Sequence, residues 1–240
     1  MPFMKHILVS LLLLFSAPAL LQADYVCING ADGNFDMFAG DLDGILSNSD
    51  HQFSLTDQEV LAATLNNDGI ETAGKLSFLL ASTDAGLSFM GLFDGIPFAD
   101  PYGEVSNHYL GVSTTTSTDT DWYASGDSGS DIGWNDMGNG SQVLNALLGW
   151  NHESTSAGFA WGDIQSAPTG TVNLYDVALP EFANDSIQFV TYQDDQWTVA
   201  GSGDFSVLGQ YTFSYQLVPA PGALALLAIA GLTGHRRRRK

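Results

Sequence analysis

Cysteine is almost absent. Cys27 is the only one in 240 residues, which excludes an intrachain disulfide and a cysteine-built zinc cage. Its setting, Val26-Cys27-Ile28, predicts a small buried side chain. Positive charge is nearly as scarce: 7 lysines and arginines stand against 27 aspartates and glutamates, a net charge of −20. Lys5 and residues 236–240 hold all of the basic charge except Lys75. Between residues 24 and 217, that one lysine is set against all 27 acids, a net −26. Such a body repels nucleic acid and anionic lipid, which removes both as partners. It has almost no ion pairs to draw on, so stability must rest on apolar burial and backbone pairing. Salt or divalent cations would relieve its self-repulsion.

The apolar runs of length lie at the two ends. Lys5 and His6 precede an apolar stretch over 7–15 that includes Leu11-Leu12-Leu13-Leu14, and small residues follow at Ala17, Ala19 and Ala23. This is the three-part layout of a secretory signal peptide, so signal peptidase is an expected partner, cutting after Ala19 or Ala23. At the other end, residues 217–234 form an apolar run of 18 residues. As a helix at about 1.5 Å per residue it would extend roughly 27 Å, close to the thickness of a bilayer core. Pro219 and Pro221 fall in the first turn, where a missing N–H is tolerated. Arg236, Arg237, Arg238, Arg239 and Lys240 would keep the far end cytoplasmic.

Val218-Pro219-Ala220-Pro221-Gly222, the apolar run and the arginine cluster together resemble the PEP-CTERM sorting signal of Gram-negative bacteria. The family's Pro-Glu-Pro reads Pro219-Ala220-Pro221 here, and the resemblance covers only 218–240. It implies an exosortase-type processing enzyme as a partner and transient anchoring in the membrane. It also implies a final place on the cell surface or in the exopolysaccharide of a biofilm. An ordinary C-terminal membrane anchor is the alternative. The expected organisation is a signal peptide over 1–23, one acidic domain over 24–217, and a sorting signal over 218–240.

Within the body, Gly, Asp, Asn and Ser clusters recur between short strand-like runs. Residues 75–81 and 87–93 are apolar runs with aromatic content, whereas 171–177 alternates and 211–218 alternates strictly. Residues 187–193 and 196–200 flank Asp194-Asp195 as a hairpin. The fold class expected is all-β, a single antiparallel sandwich of jelly-roll type. Residues 53–65 read as a first hairpin, although Thr56-Asp57-Gln58-Glu59 resembles a capping box. Residues 142–148, opened by Ser141, read as a short helix.

Candidate chemistry is thin. Asp32, Asn34, Asp36, Asp41 and Asp43 offer oxygen ligands of the kind calcium takes, with Asn66-Asn67-Asp68-Gly69 as a second acidic cluster. Neither fits the EF-hand spacing. Trp122, Tyr123 and Trp134 lie in polar stretches and could stack on sugar rings. Gly126-Asp127-Ser128-Gly129-Ser130 resembles a serine-protease nucleophile loop, but neither His51 nor His108 has the context of a catalytic base. Glu104, Glu153 and Glu181 could pair as in a glycosidase, a weak signal among so many acids. The expected function is structural or adhesive rather than enzymatic, at a surface or in an exopolysaccharide matrix. A carbohydrate-binding module is the alternative, and a secreted hydrolase of sandwich fold the second alternative.

Overall fold

The computed structural model describes residues 25–30, 32–47, 52–94, 108–117, 120–125, 131–150, 156–164, 169–176, 186–205 and 210–218. These all belong to one compact unit, Tyr25–Val218. The expected signal peptide and all of the sorting signal but Val218 lie outside the described residues.

Two seven-stranded sheets make up the fold. The first runs in the order β2 (Gly33–Phe38), β1 (Tyr25–Gly30), β14 (Gln210–Val218), β11 (Thr169–Asp176), β6 (His108–Thr116), β9 (Gln142–Trp150), β8 (Asp131–Asp136). The second runs β13 (Gln196–Gly203), β12 (Ile187–Gln193), β4 (Lys75–Thr83), β5 (Gly86–Asp94), β10 (Ser156–Gly162), β7 (Asp121–Ser125), and its seventh strand, β3 (Gly40–Asp41), pairs with β4 off this path. A core between the sheets joins Val26, Ile28, Val112, Leu144 and Phe213 of the first to Phe78, Phe89, Phe159, Trp161 and Phe189 of the second. This is the all-β sandwich expected. Its pairing is not purely antiparallel, however. β12 and the short β3 both run parallel to β4, at Leu76 to Leu79 and at Ala81–Ser82. The parallel β3–β4 pair follows from a helical crossover between them, which returns the chain in the same direction.

That crossover is α1 (Leu55–Asn67), where the sequence suggested a hairpin. Ser54 caps it, its Oγ accepting from the Asp57 N–H at 3.1 Å, two residues before the capping box anticipated at Thr56. Gln58, Leu61 and Leu65 are buried along one stripe at helical spacing, a period that outweighs the brief alternation of Phe53-Ser54-Leu55. The helix ends at Gly69, whose φ of +86° only glycine adopts freely. Asn66-Asn67-Asp68-Gly69 is therefore a helix terminus: the Asn66 amide donates to Ala62 O and Thr72 Oγ1, and Asp68 Oδ2 accepts from the Trp197 N–H at 2.7 Å.

α1 covers the outer face of the second sheet, making a second core of Leu61 and Leu65 with Leu79, Met90, Ala160, Val190 and Trp197. The second sheet is thus buried on both faces, which explains why β4 and β5 are largely apolar and do not alternate. Among the described residues the outer face of the first sheet has no such cover, and β14 alternates buried and exposed along its length. The expected short helix over 142–148 is the strand β9. Gln142, Leu144, Ala146 and Leu148 point inward, Val143, Asn145 and Leu147 outward. Pairing with β6 on one side and β8 on the other overrides the helical preference of Leu and Ala. β14 also reaches Val218, with Leu217 in the core, so two residues of the expected membrane run are strand residues.

Candidate functional site

The sites anticipated from the sequence are dispersed. Asp32, Asn34 and Asp36 lie on the β1–β2 hairpin of the first sheet, whereas Asp41 and Asp43 follow the chain onto the second. Asp36 Oδ1 accepts from Cys27 Sγ at 3.2 Å. Cys27 is half-exposed on the outer face rather than buried, because Val26 and Ile28 take the two inward positions around it. Burial first, and then the Asp36 carboxylate, push its thiol up, so it stays protonated and a poor nucleophile. Asp32 lies beside the Tyr211 hydroxyl, which burial and then Asp32 push well above the ordinary phenol value. Among the described residues, no three His, Cys, Asp or Glu side chains group tightly enough to hold a metal ion.

Trp122, Tyr123 and Trp134 do not share a face. Trp122 and Trp134 stack on each other, ring centroids 6.2 Å apart and planes 18° from parallel. Each is on the edge strand of its sheet, β7 and β8, so the pair closes one open side of the sandwich. Trp134 remains 40% exposed. Tyr123, next to Trp122 in an extended strand, points to the opposite side and is 6% exposed. It borders an open cleft of about 370 Å³ that also draws in Asp84, Asp121 and Asp163, three acids from distant parts of the chain. Asp84 Oδ1 there accepts from the Gly44 N–H at 3.0 Å. Burial, then Asp121 and Asp163, push the Tyr123 hydroxyl up. His51, Glu104, Glu153, Glu181 and 126–130 lie outside the described residues, and His108 opens β6. Among the described residues no helix is long and apolar enough to cross a membrane.

The broadest feature is the outer face of the first sheet. Strand registers align its outward positions in rows: Ser214, Thr171, Thr115 and Val143 in one, Thr212, Asn173, Ser113 and Asn145 in the next. Hydroxyls and amides cross between strands, as where Thr212 Oγ1 donates to Asn173 Oδ1 at 2.9 Å. Over the five strands β1, β14, β11, β6 and β9, no described outward position carries a charge; acids stand on the two edge strands, Asp36 on β2 and Asp131, in register with Leu147, on β8. In the third row, Tyr175 of β11 faces Gly111 of β6 and then Leu147 of β9. Its ring lies so close to Gly111 that any Cβ there would collide with it. Tyr175 is 39% exposed and, with Gly133, Asn145 and Leu147, lines a shallow depression of about 290 Å³. No sequence motif marks this face; only the alternation of β11 and β14 hints at it.

Comparison of the chain with protein-family models, with curated proteins and with solved structures returns no match.

Proposed function

We propose that the chain is a non-catalytic component of a bacterial cell surface or extracellular matrix, exported by its N-terminal segment and sorted by an exosortase-type system through residues 218–240. The observation that carries the adhesive part of this reading is the wide uncharged hydroxyl and amide face in a body of net −26. A solvated surface on so acidic a chain would be expected to share its charge; a neutral face suits contact with something. The two terminal segments support the destination. The PEP-CTERM resemblance supports release from the membrane after sorting.

Intact mass of the protein recovered from the native cell surface tests this. Loss of the first 19–23 residues and of the tail beyond about Val218 is the expected result. A chain retaining residues 236–240 and sedimenting with membranes would replace sorting by a plain anchor. Turnover of a glycan or peptide by the purified protein would overturn the non-catalytic reading.

A further inference from the structure

We infer that the outer face of the first sheet, centred on Tyr175, binds a neutral polysaccharide. The inference rests on the matrix reading above and names its ligand class.

Three features of the face select that chemistry. Tyr175 lies flat on Gly111, so one side of its ring is supported by the strand while 39% of the residue stays exposed. A supported aromatic ring offers a flat apolar surface to the C–H face of a sugar at little entropic cost. The groups around it, Asn145, Asn173 and Ser113, both donate and accept hydrogen bonds, as sugar hydroxyls require. They repeat from strand to strand at about 4.8 Å, so the surface can track a long polymer rather than enclose one small molecule. The depression of about 290 Å³ beside Tyr175 is shallow and open, lined also by Gly133 and Leu147.

Charge narrows the class. A body of net −26 repels uronic-acid or sulfated polymers, and the face supplies no lysine or arginine to offset that. A neutral chain meets no such repulsion, and the acids at this sheet's outward positions, Asp36 and Asp131, fall on its two edge strands β2 and β8. Its binding should therefore be nearly indifferent to ionic strength, unlike any contact made through the acidic remainder. The stacked Trp122–Trp134 pair is the rival platform, but its rings face each other across the sandwich edge.

The test is co-sedimentation of the full chain with microcrystalline cellulose and with agarose beads, both neutral, and affinity electrophoresis through alginate, which is anionic. Retention on at least one neutral polymer, little changed between low and high salt, and no retardation by alginate is expected. Tyr175→Ala should weaken retention several-fold, up to roughly tenfold, as expected when an aromatic contact is removed. Asn145→Asp should weaken it too, by placing a charge on the face. Thermal melts establish that both variants remain folded. Retention lost in Trp134→Ala but kept in Tyr175→Ala would overturn the assignment. So would preferential binding to alginate, or a stable dimer of the free chain that Asn145→Asp dissociates, since a second copy would then occupy the face. Failure to bind either neutral polymer, with a surface-recovered mass lacking both ends, would reject this ligand class and leave the matrix reading standing. A mass retaining the arginine tail would reject the sorting reading instead.

Discussion

Single residues show how much of this molecule turns on close approach and partial burial. Gly170 faces Tyr215 across β14, and a Cβ there would collide with the Tyr215 ring and the Thr115 carbonyl oxygen. The small residue lets the Tyr215 hydroxyl donate to Thr115 O at 2.7 Å inside the core. Asp94 is the clearest titratable case. Burial raises its pKa, and the Thr72 hydroxyl, donating to Oδ2 at 2.6 Å, only partly offsets this. A carboxyl raised in the folded state favours folding below its ordinary value of 3.8, and that contribution fades as pH climbs through the raised value. Asp94→Asn should therefore gain stability relative to the natural chain as pH rises from about 3.5 to neutrality, while still accepting from Thr72. Urea unfolding at several pH values measures this; a difference that is flat with pH would show that Asp94 titrates normally.

At the scale of elements, α1 is the part that decides the second sheet's environment. It is short, and its stability comes from Leu61 and Leu65 on the sheet together with its caps. Ser54→Ala removes the Oγ that accepts from the Asp57 N–H and should cost about 1 kcal/mol of unfolding free energy, read from the denaturant midpoint. An unchanged midpoint would mean the helix end is satisfied by water instead. The strands differ in legibility for a physical reason. β14 and β11 alternate because one of their faces is wet, and β4 and β5 do not because α1 dries the other. The β12–β13 hairpin was plain at Asp194-Asp195, both with positive φ as its two-residue turn requires. α1 and β9 depart from the sequence expectation because each carries residues that suit either state, and only their neighbours break the tie. The helical stripe Gln58, Leu61, Leu65 was the signal available for α1.

For the whole molecule, the excess of carboxylates is the dominant electrostatic fact. One lysine cannot neutralise them, so the folded state holds its acids at closer quarters than the unfolded chain does. Melting temperature should rise by several degrees between about 10 mM and 0.5 M sodium chloride as the Debye length contracts from roughly 30 Å to under 5 Å. Scanning calorimetry over a salt series checks this. A melting point indifferent to salt would place the acids too far apart to repel one another.

Composition and pattern by themselves determined that the body is acidic, without an intrachain disulfide and built of strands, and they supplied the terminal segments on which the export reading rests. These are properties of local sequence, read from charge, spacing and apolar runs. Tertiary structure alone decided which strands lie together, and hence every candidate surface. Asp84, Asp121 and Asp163 meet only because a β4–β5 turn, β7 and the end of β10 converge. Trp122 and Tyr123, adjacent in the chain, part to opposite sides of a strand. Tyr175 and Gly111 become one platform because β11 pairs with β6. Long-range strand pairing follows from burial summed over both sheets, and no short stretch of sequence encodes that sum.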